Sequence, residues 1–238
     1  MATARTARLL ASVPLGTSGR LLTFEAGEPL GFVGGQYVIV DTGIEREDGR
    51  RHKRAYSLVS ADSGQRRFQL AVYQHGPGSF VLHSAAPGAV FSFSGPWGSF
   101  LPEDAQPRST LLVATDSGIT AAVGLLRARA FAPHRSMTKL LWLRPEGFGF
   151  FPSESVEQMA GLAPELGTLP PVGHPERLEA LRAEVLPHAA VQAPERVYLS
   201  GDGAVLAPLR TELHSLGMAE GTVRLESFFN PPVRKAAA

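Results

Sequence analysis

Cysteine is absent from the 238 residues, so no disulfide, zinc finger, thiol nucleophile or cysteine-held cluster can be built from this chain. Charge of one sign is also missing. Lysine and arginine total 23 against 22 aspartates and glutamates, a balance of +1, which gives no global attraction to nucleic acid or to a membrane surface. Long apolar runs are lacking too: stretches such as Leu111 to Ala114 and Leu140 to Leu143 fall far below the roughly 20 residues that span a bilayer. Met1 to Leu15 has no continuous apolar core followed by a small-residue cleavage site, which reads against a secretory signal and makes a cytoplasmic location the expectation. The seven histidines show no metal-binding spacing such as H-E-x-x-H, and no metal site is expected.

Hydrophobic residues make up 44% and charged residues 19% of the chain, which suits one or two packed domains and excludes disorder. Two grammars follow one another. Up to about residue 100, glycine and proline punctuate short apolar runs at Ala7 to Val13, Leu21 to Glu25, Tyr37 to Asp41, Ala55 to Val59, Phe68 to Tyr73 and Val90 to Ser94. Short strands with frequent turns predict an antiparallel six-stranded Greek-key β-barrel, with one helical turn at Ser79 to Ala85. After Pro107 the pattern becomes strand (Ser109 to Ala114), helix (Gly118 to Ala130) and strand (Thr138 to Leu143). A helical segment (Pro175 to Leu186), a strand (Val197 to Leu199), a helix (Ala204 to Leu216) and a last strand (Thr222 to Phe228) follow. Such alternation predicts an α/β doubly wound parallel sheet. The boundary is placed in Leu101 to Pro107, dividing the chain into residues 1–104 and 105–238. Pro145 to Pro175, rich in proline and glycine, defeats periodicity analysis and is left unassigned.

Several short motifs bear on chemistry. Arg54-Ala55-Tyr56-Ser57 offers a cation, an aromatic face and a hydroxyl on one strand, suited to a phosphate and a flat ring, although an ordinary edge strand reads the same way. Gly76-Pro77-Gly78-Ser79 opens a helix whose first amides attract phosphate oxygens; a simple serine cap is the bland reading. Gly95-Pro96-Trp97-Gly98 is a tight turn closing the barrel region. Thr115-Asp116-Ser117-Gly118 and Ser200-Gly201-Asp202-Gly203 each join a strand to a helix, the place where doubly wound sheets bind dinucleotides.

The order of these motifs resembles the ferredoxin–NADP reductase superfamily, including the reductase components of bacterial oxygenases and the phenylacetate-pathway reductases. Arg54-Ala55-Tyr56-Ser57 is similar to its R-x-Y-[ST] flavin signature, Gly76 to Ser79 to its G-x-x-S turn, and Gly95 to Gly98 to its G-P-x-G turn. Ser117-Gly118-Ile119-Thr120, Tyr198 to Gly203 and Glu226-Ser227-Phe228 resemble the motifs of the nicotinamide half. The resemblance implies a flavin barrel followed by an NAD(P) domain. FAD is favoured over FMN, and hydride passes from NAD(P)H to the flavin and then as electrons to a separate protein such as ferredoxin or an oxygenase component. It also implies roles. Arg54, Ala55, Tyr56, Ser57, Gly76, Gly78 and Ser79 would hold the flavin, with Tyr73 a candidate for the adenine. Thr115, Ser117, Gly118, Arg144, Gly201, Asp202 and Phe228 would hold cofactor at the nicotinamide half, with Arg144 favouring a 2′-phosphate. Ser57, Ser200 and Glu226 would line the transfer site.

The chain departs from the pattern. Asp116 stands where relatives usually carry glycine and would set a carboxylate against the pyrophosphate; Ser200, Asp202 and Gly203 replace a cysteine and two prolines; Ala121 replaces the usual proline or small turn. The run Arg50-Arg51-His52-Lys53-Arg54 is the one dense basic patch and would steer an acidic ferredoxin, or is a solvated loop. Phe228 and Phe229 read as a half-buried strand end or a flavin shield. Two rival functions stay open: a non-catalytic flavin-binding subunit with a degenerate nicotinamide site, and a ferric-siderophore reductase.

Overall fold

The structure is a computed structural model and describes residues 5–103 and 106–228. Six antiparallel strands come first: β1 (Arg5–Leu15), β2 (Gly19–Ala26), β3 (Tyr37–Glu45), β4 (Arg51–Ser57), β5 (Arg67–Tyr73) and β6 (Val90–Trp97). Their order across the sheet is β4-β3-β6-β1-β2-β5. The two ends of this order meet just past β4, where Leu58 bridges Leu70 and the Val59 amide donates to the Gln69 carbonyl at 3.0 Å. That contact closes the sheet into a barrel. Alternation explains its interior: Leu9, Leu22, Phe24, Val38, Val40, Phe68, Leu70 and Phe93 are buried and pack together, as period-two strands require. Helix α1 (Pro77–Ser84) follows β5; proline at its first turn loses no hydrogen bond there.

The second sheet is wholly parallel, in the order β11-β10-β7-β8-β9, where β7 is Thr110–Thr115, β8 Thr138–Arg144, β9 Glu165–Thr168, β10 Arg196–Asp202 and β11 Val223–Phe228. Its helices are α2 (Ile119–Leu126), α3 (Ser153–Ala160), α4 (Arg177–Gln192) and α5 (Gly203–Ser215). Every residue of β7 is buried, as expected of a central strand covered on both faces. Three expectations need correction. Helix α2 stops at Leu126, and Arg129–Met137 winds as 3-10 helix with Pro133 inside it, because proline cannot donate to a continuing α-helical ladder. Strand β10 runs three residues past Leu199, to Asp202. The unassigned segment contains α3 and β9, elements of eight and four residues, too short for periodicity to register.

The two sheets share one apolar cluster. Leu15, Val59, Ala71 and Phe100 of the first half pack with Ile119, Ala122, Leu125 and Trp142 of the second. Glycines allow backbone to meet backbone at this seam. A Cβ on Gly34 would lie 2.2 Å from the Gly124 carbonyl oxygen, and one on Gly124 would lie 2.3 Å from that of Leu58. Polar fastenings surround the contact: Arg127 donates to the Val59 carbonyl at 3.0 Å, and the Arg129 amide donates to Asp62 at 3.2 Å.

Candidate functional site

A cleft of about 390 Å³ opens where the sheets meet, lined from the barrel by Arg54, Tyr56, Ser57, Tyr73 and Ser79, and from the second half by Ser117, Thr120, Phe150, Ser227 and Phe228. A larger groove, about 800 Å³, lies elsewhere on the second half, lined by Leu186, Leu213 and Met218 among others. It contains none of the motif residues, so the chemistry is sought in the cleft.

Strand β4 is an edge of the hydrogen-bonded order, and its register sets Arg54 opposite Val40 and Tyr56 opposite Val38. Arg54 is exposed and Tyr56 half buried; burial pushes the Tyr56 phenol up to about 12, against a smaller opposing effect of Arg54. The phenol therefore keeps its proton at physiological pH. Ser57 is buried, and among the described residues its hydroxyl has no hydrogen-bond partner. A buried hydroxyl without a partner costs on the order of 1–3 kcal/mol, so its place in the wall of this cleft points to a polar ligand atom. Ala55 completes the strand's share of the wall.

At the other end, Gly76 adopts φ 79 and caps α1. Gly78 is packed so closely on His52 that a Cβ there would lie 2.5 Å from the imidazole. The Ser79 hydroxyl accepts from the His75 amide at 2.7 Å and donates to the Gly76 carbonyl at 3.0 Å. It is engaged within its own turn, which leaves the first-turn amides of α1 as the donors suited to an anion. Tyr73 lies parallel to His75, 6.4 Å between centroids, and packs against Phe148 and Phe150 at 5.1 and 5.4 Å. His75, Phe148 and Phe150 were not legible as site residues: the two phenylalanines sit in the unassigned segment. That segment is held against the barrel by the Gly149 carbonyl, which accepts from the amides of Thr17 and Ser18 at 2.8 and 3.0 Å.

Glu226 on β11 stands beside the cleft. A Cβ on Gly98 would come 3.4 Å from its carboxylate and 3.1 Å from the ring of Tyr37, so the last glycine of the Gly95 to Gly98 motif borders Glu226, and Tyr37 is a further neighbour that the motifs did not reveal. Burial raises the Glu226 carboxyl to about 7 and, with the negative charge of Glu226 as the smaller cause, raises the Tyr37 phenol as well.

Of the expected nucleotide turns of the second sheet, Ser117 lines the cleft and most other side chains point inward. Thr115 is buried and accepts from the Asp202 amide at 2.8 Å; Ser200 is 0% exposed and donates to the Gly118 carbonyl at 3.0 Å. Ser200 is absent from the cleft lining. Gly118 and Gly201 face chain rather than ligand, since a Cβ on either would lie 2.2 Å from Ser200 or Thr115 atoms respectively. Asp116 and Asp202, expected to meet phosphates, instead pair with one buried arginine, Arg177, which is 1% exposed. Arg177 bonds Asp202 at 2.9 Å, Asp116 more closely, and the Pro170 carbonyl besides. Burial raises the Asp116 carboxyl to about 6 in spite of Arg177, with Asp202 adding to the rise. Arg177 opens a helix of ordinary amphipathic composition, which is why nothing in the sequence marked it. Arg144, half buried, lies 4.5 Å over the Trp142 ring and donates to the Phe148 carbonyl at 2.9 Å.

The basic run is less dense than its sequence suggests. Arg50 and Arg51 pair with Asp48 and Asp41, and His52 is buried against Thr42; burial, then Arg54 and Arg46, hold its imidazole below the usual range. Among the described residues no cluster of histidine and carboxylate groups is placed to hold a metal, and no helix is long and apolar enough to cross a membrane. Phe228 lines the cleft; Phe229 lies outside the described residues.

Comparison with known proteins accounts for this arrangement. Residues 8–101 match the oxidoreductase FAD-binding domain model. Over 126 residues the chain is 40% identical to ferredoxin–NADP reductase B of Sorangium cellulosum, covering 51% of this chain and 50% of that protein. Methane monooxygenase component C of Methylosinus trichosporium is 29% identical over 140 residues, covering 58% of this chain and 40% of that protein. The chain thus spans about half or less of the length of these curated relatives. Likeness of fold to solved structures extends over both sheets. A ferredoxin NADP+ reductase from Neisseria gonorrhoeae with bound FAD and NADP superposes with a TM-score of 0.72 at 17% identity, covering 96% of this chain and 100% of that one. The ferredoxin reductase of carbazole 1,9a-dioxygenase gives 0.74 at 15% identity, covering 95% and 70%.

Proposed function

We propose that this chain is an FAD-dependent oxidoreductase that takes hydride from NAD(P)H at the seam between its halves and delivers electrons to a separate protein acceptor. The observation that carries the reading is the cleft in which Arg54, Tyr56 and the partnerless Ser57 hydroxyl face Ser117, Thr120 and Phe228 across the seam. Residues 1–104 act as the flavin half and 105–238 as the nicotinamide half. The donor set fits the group: Arg54 is an exposed cation for a phosphate, the amides of α1 complete an anion site, Tyr56 offers an aromatic face, and Ser57 offers a hydroxyl needing a partner. Tyr73, in its aromatic cluster, is the surface for the adenine.

When bound, FAD supplies the two-electron to one-electron conversion that no side chain can perform. The protein's own work is positioning and exclusion of water, worth several kcal/mol in such sites. Glu226, with its carboxyl near 7, holds or releases a proton beside the seam at physiological pH. The carrier that receives the electrons lies outside these residues, because they contain no cysteine to hold a cluster. The printed names of the relatives, a ferredoxin–NADP reductase and a methane monooxygenase component, support a ferredoxin or an oxygenase component in that role.

A second reading, a flavin-binding subunit without nicotinamide turnover, is favoured by one observation: the Asp116–Arg177–Asp202 cluster across the strand ends. Anaerobic titration of the FAD-loaded protein with NADH and NADPH separates the two. Bleaching of the yellow absorbance is the expected result. A stable oxidised spectrum supports the second reading, and failure to take up FAD at all overturns both.

A further inference from the structure

In a doubly wound sheet the dinucleotide pyrophosphate lies across the carboxyl ends of the central strands, where unused helix amides and close glycine backbone receive it. Here two carboxylates of the chain itself, bridged by one arginine, occupy the strand ends. The second amide of α5, that of Ala204, donates to Asp202 Oδ1 at 3.0 Å. Gly118 and Gly201 pack against Ser200 and Thr115 on the side where a Cβ would stand. Asp116 sits at φ 51, a left-handed conformation unusual for a residue with a side chain, which costs on the order of 1–2 kcal/mol. Its carbonyl accepts from Trp142 Nε1 at 2.9 Å and its carboxylate is held by Arg177. Two carboxylates and one guanidinium leave a net charge of −1 at this floor when both acids are ionised, which repels a phosphate brought close. Arg177 is sealed among three acceptors and is not presented to an incoming phosphate.

The cleft at the seam is different. Ser57, Ser117, Thr120, Ser227 and Phe228 line it without a carboxylate, which suits an uncharged dihydropyridine ring and its first ribose. We propose that Asp116, Arg177 and Asp202 are specificity-determining residues that stand in the place of the pyrophosphate, so that the hydride donor is recognised at its dihydronicotinamide and first ribose while its phosphates and adenylate go unread. This rests on the reading that a dihydronicotinamide is the donor: hydride leaves C4 of the ring, which becomes a pyridinium, and its two electrons pass to the flavin.

The test uses the FAD-loaded protein. Under anaerobic conditions NADH, NADPH and reduced nicotinamide riboside should bleach it with second-order rate constants within about threefold of one another. A preference of about tenfold or more for either dinucleotide overturns the proposal. A binding measurement separates this outcome from failure of the donor reading: ADP-ribose and inorganic pyrophosphate should show no calorimetric binding up to about millimolar concentration. Tight binding of either overturns the proposal even if no donor reduces the flavin. Asp116→Gly removes one charge and the unfavourable φ, and should gain at least about tenfold in affinity for ADP-ribose; Asp116→Asn, which keeps the side-chain shape, should gain in the same direction. Unchanged ADP-ribose affinity in both folded variants refutes the assignment.

Discussion

Replacing Arg177 by methionine removes the cation shared by Asp116 and Asp202 while keeping most of the side-chain volume. All three groups are almost wholly buried, at 1%, 4% and 2% exposure, so solvent screens little of the loss. Breaking a buried ion pair by removing one partner typically costs about 3–5 kcal/mol, and in a chain of this size that is a fall in Tm of roughly 6–20 °C. The pH dependence carries the more specific signature. Asp116 already titrates near 6 in the folded protein, above its ordinary 3.8, because burial outweighs Arg177. Without Arg177 the two influences that lower it most disappear and the folded carboxyl rises further. A folded pKa above the unfolded one penalises the folded state at high pH, and the penalty fades as pH falls toward the unfolded value. The variant should therefore lose most stability near pH 8 and recover part of it near pH 5. Urea unfolding followed by fluorescence suits the measurement, since Trp142 is fully buried and bonded to the Asp116 carbonyl. Arg177→Lys, which keeps charge but loses the fork, should fall between. A loss below about 1 kcal/mol, or one equal at both pH values, would refute the account of the cluster.

Gly124→Val should cost several kcal/mol and expose the seam to limited proteolysis, because its Cβ has only 2.3 Å to the Leu58 carbonyl oxygen; wild-type melting would contradict the close-approach argument. Ser57→Ala should leave the flavin-free protein as stable or slightly more so, since its hydroxyl has no partner. Flavin affinity should fall by roughly 2- to 13-fold, the worth of one hydrogen bond, as read by fluorescence titration. Glu226→Gln should abolish an inflection near pH 7 in the rate of flavin reduction, given the carboxyl's rise to about 7; an inflection that persists in the variant assigns it to another group.

The barrel was legible because its strands alternate: Phe68, Leu70 and Val72 point inward with Gln69 between them only half buried, and a period of two survives in any register. The parallel sheet was legible for the opposite reason, as unbroken apolar runs such as that of β7. At the site, Arg54, Tyr56 and Ser57 could be named from one strand because adjacent residues of an edge strand can share a cleft wall. What could not be read were partners separated by long stretches of chain. Arg177 meets Asp116 from 61 residues away, and neither residue carries a local pattern announcing the other. Phe148 and Phe150 reach Tyr73 through a glycine-rich segment with no periodicity, and Tyr37 meets Glu226 only because Gly98 leaves room between them. Ser200 shows the converse error: the right sequence position, with its hydroxyl directed to a backbone carbonyl.

The Gly149 carbonyl that accepts two amides from the β1–β2 turn bears on motion as well as shape. Together with the glycine contact at α2 and the bond from the Tyr198 hydroxyl to the Leu101 carbonyl at 3.1 Å, it fastens the lobes at three well-separated points. A hinge would have to release at least two of them at once. Access for successive reactants therefore falls to local shifts of side chains, at a mouth whose frame stays fixed.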